Sequence, residues 1–78
     1  MPELMKVSEL ARKAGLKSST VRYYLEIGLI EPTQRTHSGY YLFNDIALER
    51  IRTIRDLRQK RRNISEIREY FRTVEGEL

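Results

Sequence analysis

No cysteine occurs among the 78 residues, so neither a disulfide nor a thiolate metal site can staple the fold. Histidine occurs once, at His37, and no paired carboxylates fall where a cleft would be expected. Metal ligation, nucleophilic attack and acid–base catalysis therefore have poor support. The expectation is a protein that is not an enzyme and holds no metal or cofactor. No apolar run approaches membrane length. The opening Met1-Pro2-Glu3-Leu4-Met5-Lys6 also lacks the apolar centre of a signal peptide. A cytoplasmic location without membrane contact is expected. A chain this short buries only about 60% of the surface its unfolded form exposes. It should form one domain over 1–78 with a thin core and no enclosed ligand cavity.

Acidic residues are missing from particular stretches. Arg12 to Arg22 holds four basic residues and no acid, and Arg50 to Arg62 holds seven against the single Asp56. From Asn63 onward, Glu66, Glu69, Glu75 and Glu77 outnumber Arg68 and Arg72. The net charge of +4 is modest, but two basic blocks and an acidic tail imply a field with one positive side, for which polyanions are natural partners. One basic block alone would read as a solvated helix face.

Val7, Leu10, Ala11 and Ala14 fall at i, i+3, i+4 and i+7, which predicts a short helix, with Ser8 as N-cap and Gly15 as its stop. A second helix follows from about Ser18 or Ser19 to Ile27 and ends at Gly28. Two short helices across a tight glycine-containing turn, about 8–28, have the pattern of a helix-turn-helix. Residues 33–43 contain β-formers on both sides of His37-Ser38-Gly39 and predict a hairpin. Asn44 then caps a helix over about 45–60, with Ile46, Ile51, Ile54 and Leu57 towards the core. Asn63-Ile64-Ser65-Glu66 resembles a capping box, opening a last helix over about 64–75 with Ile64, Ile67, Phe71 and Val74 as its stripe and fraying at Gly76. The class is mostly α with a short β-hairpin, in the order helix, helix, hairpin, helix, helix.

The second helix of a helix-turn-helix enters the major groove of DNA, with its first residues towards base edges. Here it presents Ser18, Ser19, Arg22 and Tyr23. Arginine can take guanine in bidentate fashion or clamp a phosphate, and serine hydroxyls suit either. One tyrosine of Tyr23-Tyr24 should pack inward, because adjacent helical positions point about 100° apart. The hairpin carries Arg35 on one strand, with His37 and Ser38 at its tip. Tyr40 and Leu42 share one side, Tyr41 and Phe43 the other. One side must pack on the helices while the other can lie against a sugar–phosphate backbone or a minor-groove edge. Arg50, Arg52, Arg55 and Arg58 on the third helix, with Lys60, Arg61 and Arg62 beyond it, form either a phosphate clamp or a complement to the helix dipole.

Lys6-Val7-Ser8-Glu9-Leu10-Ala11, Gly15-Leu16, Thr20-Val21-Arg22-Tyr23-Tyr24, Glu26-Ile27-Gly28-Leu29-Ile30, Pro32, Arg35-Thr36, Ser38-Gly39-Tyr40, Leu42-Phe43, Leu48-Glu49-Arg50-Ile51, Ile54-Arg55 and Glu66-Ile67 together resemble the N-terminal domain of the MerR family. The resemblance spans about residues 5–71. It implies a winged helix-turn-helix, with residues 33–43 as the wing, that regulates transcription as a homodimer on promoter or operator DNA of two-fold character. RNA polymerase would be affected indirectly, through the bent and untwisted promoter. It also implies that Arg22, Tyr23 and the residues opening their helix make the major-groove contacts, with Tyr40 and Arg58 on the backbone. Arg35, Tyr41, Lys60 and Arg61 complete the candidate surface.

The chain departs from the family pattern at four places. Lys17 stands where an N-cap is usual, so Ser18 is expected to cap one residue later. Tyr41 replaces a wing arginine, Ala47 an aspartate, and Lys60-Arg61-Arg62 an apolar-Gly-aromatic segment. The family's dimerisation helix and effector domain would lie beyond Leu78, so the chain is expected to be a fragment or a reduced, weakly self-associating member. Other classes compatible with the residues are an architectural or excisionase-like DNA-binding accessory protein, and an interaction module for an acidic partner. The third helix lacks the large aromatic that would anchor it in a membrane.

Overall fold

The computed structural model describes residues 3–76; Met1, Pro2 and Glu77 of the stretches discussed above lie outside the described residues. Four helices and one hairpin follow in the order α1 (Val7–Ala14), α2 (Ser18–Glu26), β1 (Gln34–Arg35), β2 (Tyr41–Leu42), α3 (Asp45–Gln59) and α4 (Ile64–Gly76). α1 packs on both α2 and α3. This is the winged helix-turn-helix architecture expected. Among the described residues no helix is long and apolar enough to cross a membrane.

α1 buries the predicted face, Val7, Leu10, Ala11 and Ala14. Its start differs from the expectation. Ser8 is not the N-cap: Leu10 N–H already donates to Lys6 O at 3.0 Å, so the helix begins at Val7 with Lys6 in the cap position and no side-chain cap. Ser18 does not cap α2 either. Thr20 and Val21 both donate to Lys17 O, which makes Lys17 the cap and Ser18 the first helical residue. In both cases the chain turns helical one or two residues early, which in α1 brings the buried Val7 into the helix.

The hairpin pairs Gln34 with Leu42 and Arg35 with Tyr41, antiparallel. Its tip closes through Gly39 N–H onto Thr36 O at 3.0 Å, with Gly39 at φ +89°, the left-handed conformation such a three-residue hairpin loop needs. A third segment joins it: Met5 and Phe43 exchange both backbone hydrogen bonds at 2.7 and 2.8 Å. Met5 and Phe43 are both buried, so the wing is bolted to the chain start as well as to the helices. No local sequence pattern marks this bridge.

Asn44 caps α3 as expected, its Oδ1 accepting from Ile46 N–H and Ala47 N–H. The inward face, however, is Ala47, Leu48, Ile51 and Ile54, with Leu57 partly buried. Ile46 was expected in the core but is 76% exposed. At about 100° per residue it points roughly a third of a turn away from that buried face. The capping box at α4 forms in full: Asn63 N–H donates to Glu66 Oε1 at 3.0 Å, and Glu66 N–H donates to Asn63 Oδ1 at 2.8 Å. Ile67 and Phe71 are buried, while Val74, expected on the same stripe, is 46% exposed. A stripe gives direction only, and the described body does not extend beneath Val74. α4 includes Gly76, the last described residue, one position beyond the expected end.

Candidate nucleic-acid interface

Ion pairing sorts the basic residues into two groups. Glu9 lies 3.9 Å from both Arg12 and Lys13, Glu49 holds Arg52, Glu66 holds Arg62, Glu69 holds Arg72, and Asp56 holds Arg55. Arg50 pairs with Glu75, donates from Nε to Leu29 O at 2.7 Å, and stacks 3.9 Å from the centre of the Phe71 ring. Arg55 also donates to Ala14 O at 2.9 Å, and Arg68 donates to Ile27 O. Arg50, Arg55 and Arg68 thus satisfy carbonyls at or just past the ends of α1 and α2, groups without helical partners of their own. The phosphate-clamp expectation is accordingly narrowed: Arg50 and Arg55 brace the fold through carbonyls of other segments, while Arg52 pairs with Glu49 on its own helix.

Among the described residues, the bases without a carboxylate partner or a carbonyl on another element are Lys6, Lys17, Arg22, Arg35, Arg58, Lys60 and Arg61. They lie at the start of α1, along and just before α2, on the wing, and at the α3–α4 turn. Of the acidic pairing partners, Glu49, Asp56, Glu69 and Glu75 lie on α3 and the body of α4, while Glu9 lies on α1 and Glu66 at the start of α4. The bases without such a partner are thus concentrated along the helix-turn-helix, the wing and the α3–α4 turn.

On α2, Ser19, Arg22 and Tyr23 are exposed and Ser18 is half-buried. Tyr24 is the tyrosine that packs inward, 6% exposed against 48% for Tyr23, the two rings tilted at 50° with centres 5.8 Å apart. Burial of Val21 and Tyr24 rotates Arg22 and Tyr23 outward. Arg22 lines two clefts. One, of about 430 Å³, brings it together with Arg35 and Tyr41; the other, of about 400 Å³, with Ser38 and Tyr40.

On the wing Tyr40 is 54% exposed. Tyr41 is half-buried and acts mainly on its neighbour: its hydroxyl accepts from Arg35 Nη2 at 2.9 Å, and the guanidinium lies 4.7 Å from its ring centre. Lys6 sits 4.4 Å over the Tyr40 ring. That contact joins residues far apart in sequence, in segments that the Met5–Phe43 bridge brings together.

Arg58, Lys60 and Arg61 line neither cleft. They form a separate patch one helical turn beyond Arg55, whose guanidinium reaches the α1–α2 turn. Arg58 Nη1 donates to Arg62 O at 2.9 Å, bracing that turn. Arg61 has φ +64° and Arg62 N–H reaches back to Leu57 O at 3.0 Å. This is the helix-ending geometry in which glycine normally occupies the position of Arg61.

Residues 5–74 match the model of the MerR HTH family regulatory proteins. The chain is 34% identical over 65 residues to heavy metal-dependent transcription regulator 2 of Rhizobium meliloti, covering 83% of this chain and 44% of that protein. It is similar in structure to a transcription regulator of Ralstonia metallidurans solved with lead(II), with a TM-score of 0.85 and 30% identity over 94% of this chain and 57% of that one. A MerR family regulator lacking the sensor domain, solved bound to promoter DNA, shares the fold at a TM-score of 0.84 and 21% identity, covering 92% of this chain and 55% of that one. The chain thus spans about half the length of the relatives it matches.

Proposed function

The chain belongs to the MerR HTH family of regulatory proteins, and from that premise we propose that it binds promoter DNA sequence-specifically to control transcription. α2 enters the major groove, with Tyr23 towards base edges, Arg22 placed to reach a base edge or the bordering phosphate, and Ser18 and Ser19 on the adjacent backbone. Arg35 and Tyr40 on the wing grip phosphates, with Tyr41 steering Arg35. Arg58, Lys60 and Arg61 grip the backbone at a second patch. Carrying this reading is the sorting of charge: bases free of carboxylates gather on the helix-turn-helix, the wing and the α3–α4 turn. Phosphate contacts fix position and base contacts supply sequence, so both sets are required. Two copies acting on a two-fold operator would place one α2 in each half-site, and RNA polymerase would respond through promoter geometry. Function here is binding, with no chemical step, in the cytoplasm where promoter DNA lies.

Selection from a random duplex pool followed by genomic footprinting tests the reading. It predicts a two-fold motif at promoter elements. Protection confined to recombination attachment sites would favour the architectural accessory role instead, and failure to enrich any motif would remove sequence-specific control.

Arg61 offers a separate test. A non-glycine residue in the left-handed region costs about 1–2 kcal/mol, so Arg61→Gly is expected to stabilise the fold by roughly 1 kcal/mol, or about 4–8 °C in Tm. The same change removes one phosphate contact, lowering the slope of log affinity against log salt by about 0.9. Thermal melting and a salt series should move in opposite directions; unchanged binding would exclude Arg61 from the interface.

A further inference from the structure

We propose that the cleft between the wing and the start of α1 seats one backbone phosphate of the bound duplex, with Lys6 as its second cation beside Arg22. This deepens the DNA-binding reading and rests on it. The cleft, about 400 Å³, is lined by Lys6, Ser8, Arg22, Ser38, Gly39 and Tyr40 among others. Its polar side chains are an ammonium, a guanidinium and hydroxyls, all able to donate to an anion.

No carboxylate lines it. The other clefts described each contain at least one glutamate: Glu31 and Glu75, Glu26 and Glu31, Glu66 and Glu69, or Glu75. An anion is therefore favoured here and opposed in its neighbours, including the larger cleft that Arg22 shares with Arg35.

Lys6 is held for this task. Its ammonium lies 4.4 Å from the centre of the Tyr40 ring, an attraction that positions a flexible side chain at the cleft. Its backbone adjoins Met5, which is paired to Phe43 at the base of the wing. A phosphate in this notch touches α1, α2 and the wing together, so it fixes the wing relative to the reading helix. The contact is to the sugar–phosphate backbone and carries no sequence preference of its own.

The test is fluorescence anisotropy of the chain on a random-sequence duplex across a potassium chloride series. Lys6→Gln should reduce the magnitude of the salt slope by about 0.9. Lys13→Gln, which removes an equal charge from a lysine paired with Glu9, should leave the slope near the parent value. Tyr40→Leu should weaken binding less in the Lys6→Gln background than alone, because the ring then has no ammonium to seat. A parental slope in Lys6→Gln, or an equal loss in Lys13→Gln, overturns the phosphate seat while leaving the DNA-binding reading intact. A parent chain showing no salt-dependent duplex binding overturns both.

Discussion

Phe43→Ala should lower Tm by at least roughly 12 °C, the largest stability effect expected for this chain. Truncating a buried phenylalanine costs about 3–5 kcal/mol through lost burial and the cavity left behind, and each kcal/mol moves Tm by about 4–8 °C in a domain of this size. Phe43 is fully buried, and it carries both hydrogen bonds of the Met5 bridge. The next residue, Asn44, caps α3 and donates its own N–H to Thr33 Oγ1 at 2.9 Å. One ring therefore supports the wing, the chain start and the first turn of α3. Domains have about 0.05–0.15 kcal/mol of stability per residue, so the loss is comparable with the total. Phe43→Leu, which keeps most of the volume, should cost below about 1.5 kcal/mol. Thermal and urea melting of both variants checks this. A Phe43→Ala variant melting within a few degrees of the parent would mean that the wing base does not pack as described.

Arg22→Ala should weaken binding to a selected cognate duplex by about 1–3 kcal/mol, roughly 5- to 150-fold, while Tm stays in place. The side chain is exposed and carries no carboxylate or carbonyl partner among the described residues, so its removal takes nothing from the core. Arg22→Lys separates the two ways it can act. Lysine preserves a phosphate contact but not a bidentate pair with a base. If Arg22 reads a guanine, the lysine variant keeps the salt slope and loses discrimination against mismatched duplexes. If it grips a phosphate, discrimination survives in both variants and the slope falls only in the alanine one. Tyr23→Ala should give a smaller loss. Full affinity in folded Arg22→Ala and Tyr23→Ala variants would remove α2 as the reading element.

What the sequence made legible were interactions whose partners lie within a few residues. The α1 face from Val7 to Ala14, the Asn44 cap, the Asn63–Glu66 box and the inward turn of one tyrosine in Tyr23-Tyr24 all follow from helical spacing. What escaped depended on distant partners. Arg50 and Arg55 look like parts of one basic surface until the carbonyls of Leu29 and Ala14 are seen to engage them. That the Tyr41 hydroxyl and ring hold Arg35 depends on the pairing of the two strands, which no local pattern displays. Ile46 and Val74 have the right period or type but lie away from, or beyond, the surface that would cover them. Lys6 enters only because the Met5–Phe43 bridge carries the start of the chain to the wing.

The central claim, that α2, the wing and the α3–α4 turn form one face for a duplex, is tested most directly by an amide chemical-shift titration of the labelled chain with its selected DNA. The predicted perturbations group at residues 18–23, 35–41 and 58–62 and leave the stretch from Glu69 to Glu75 unaffected. Perturbations centred on that acidic stretch of α4, with residues 18–23 silent, would contradict it.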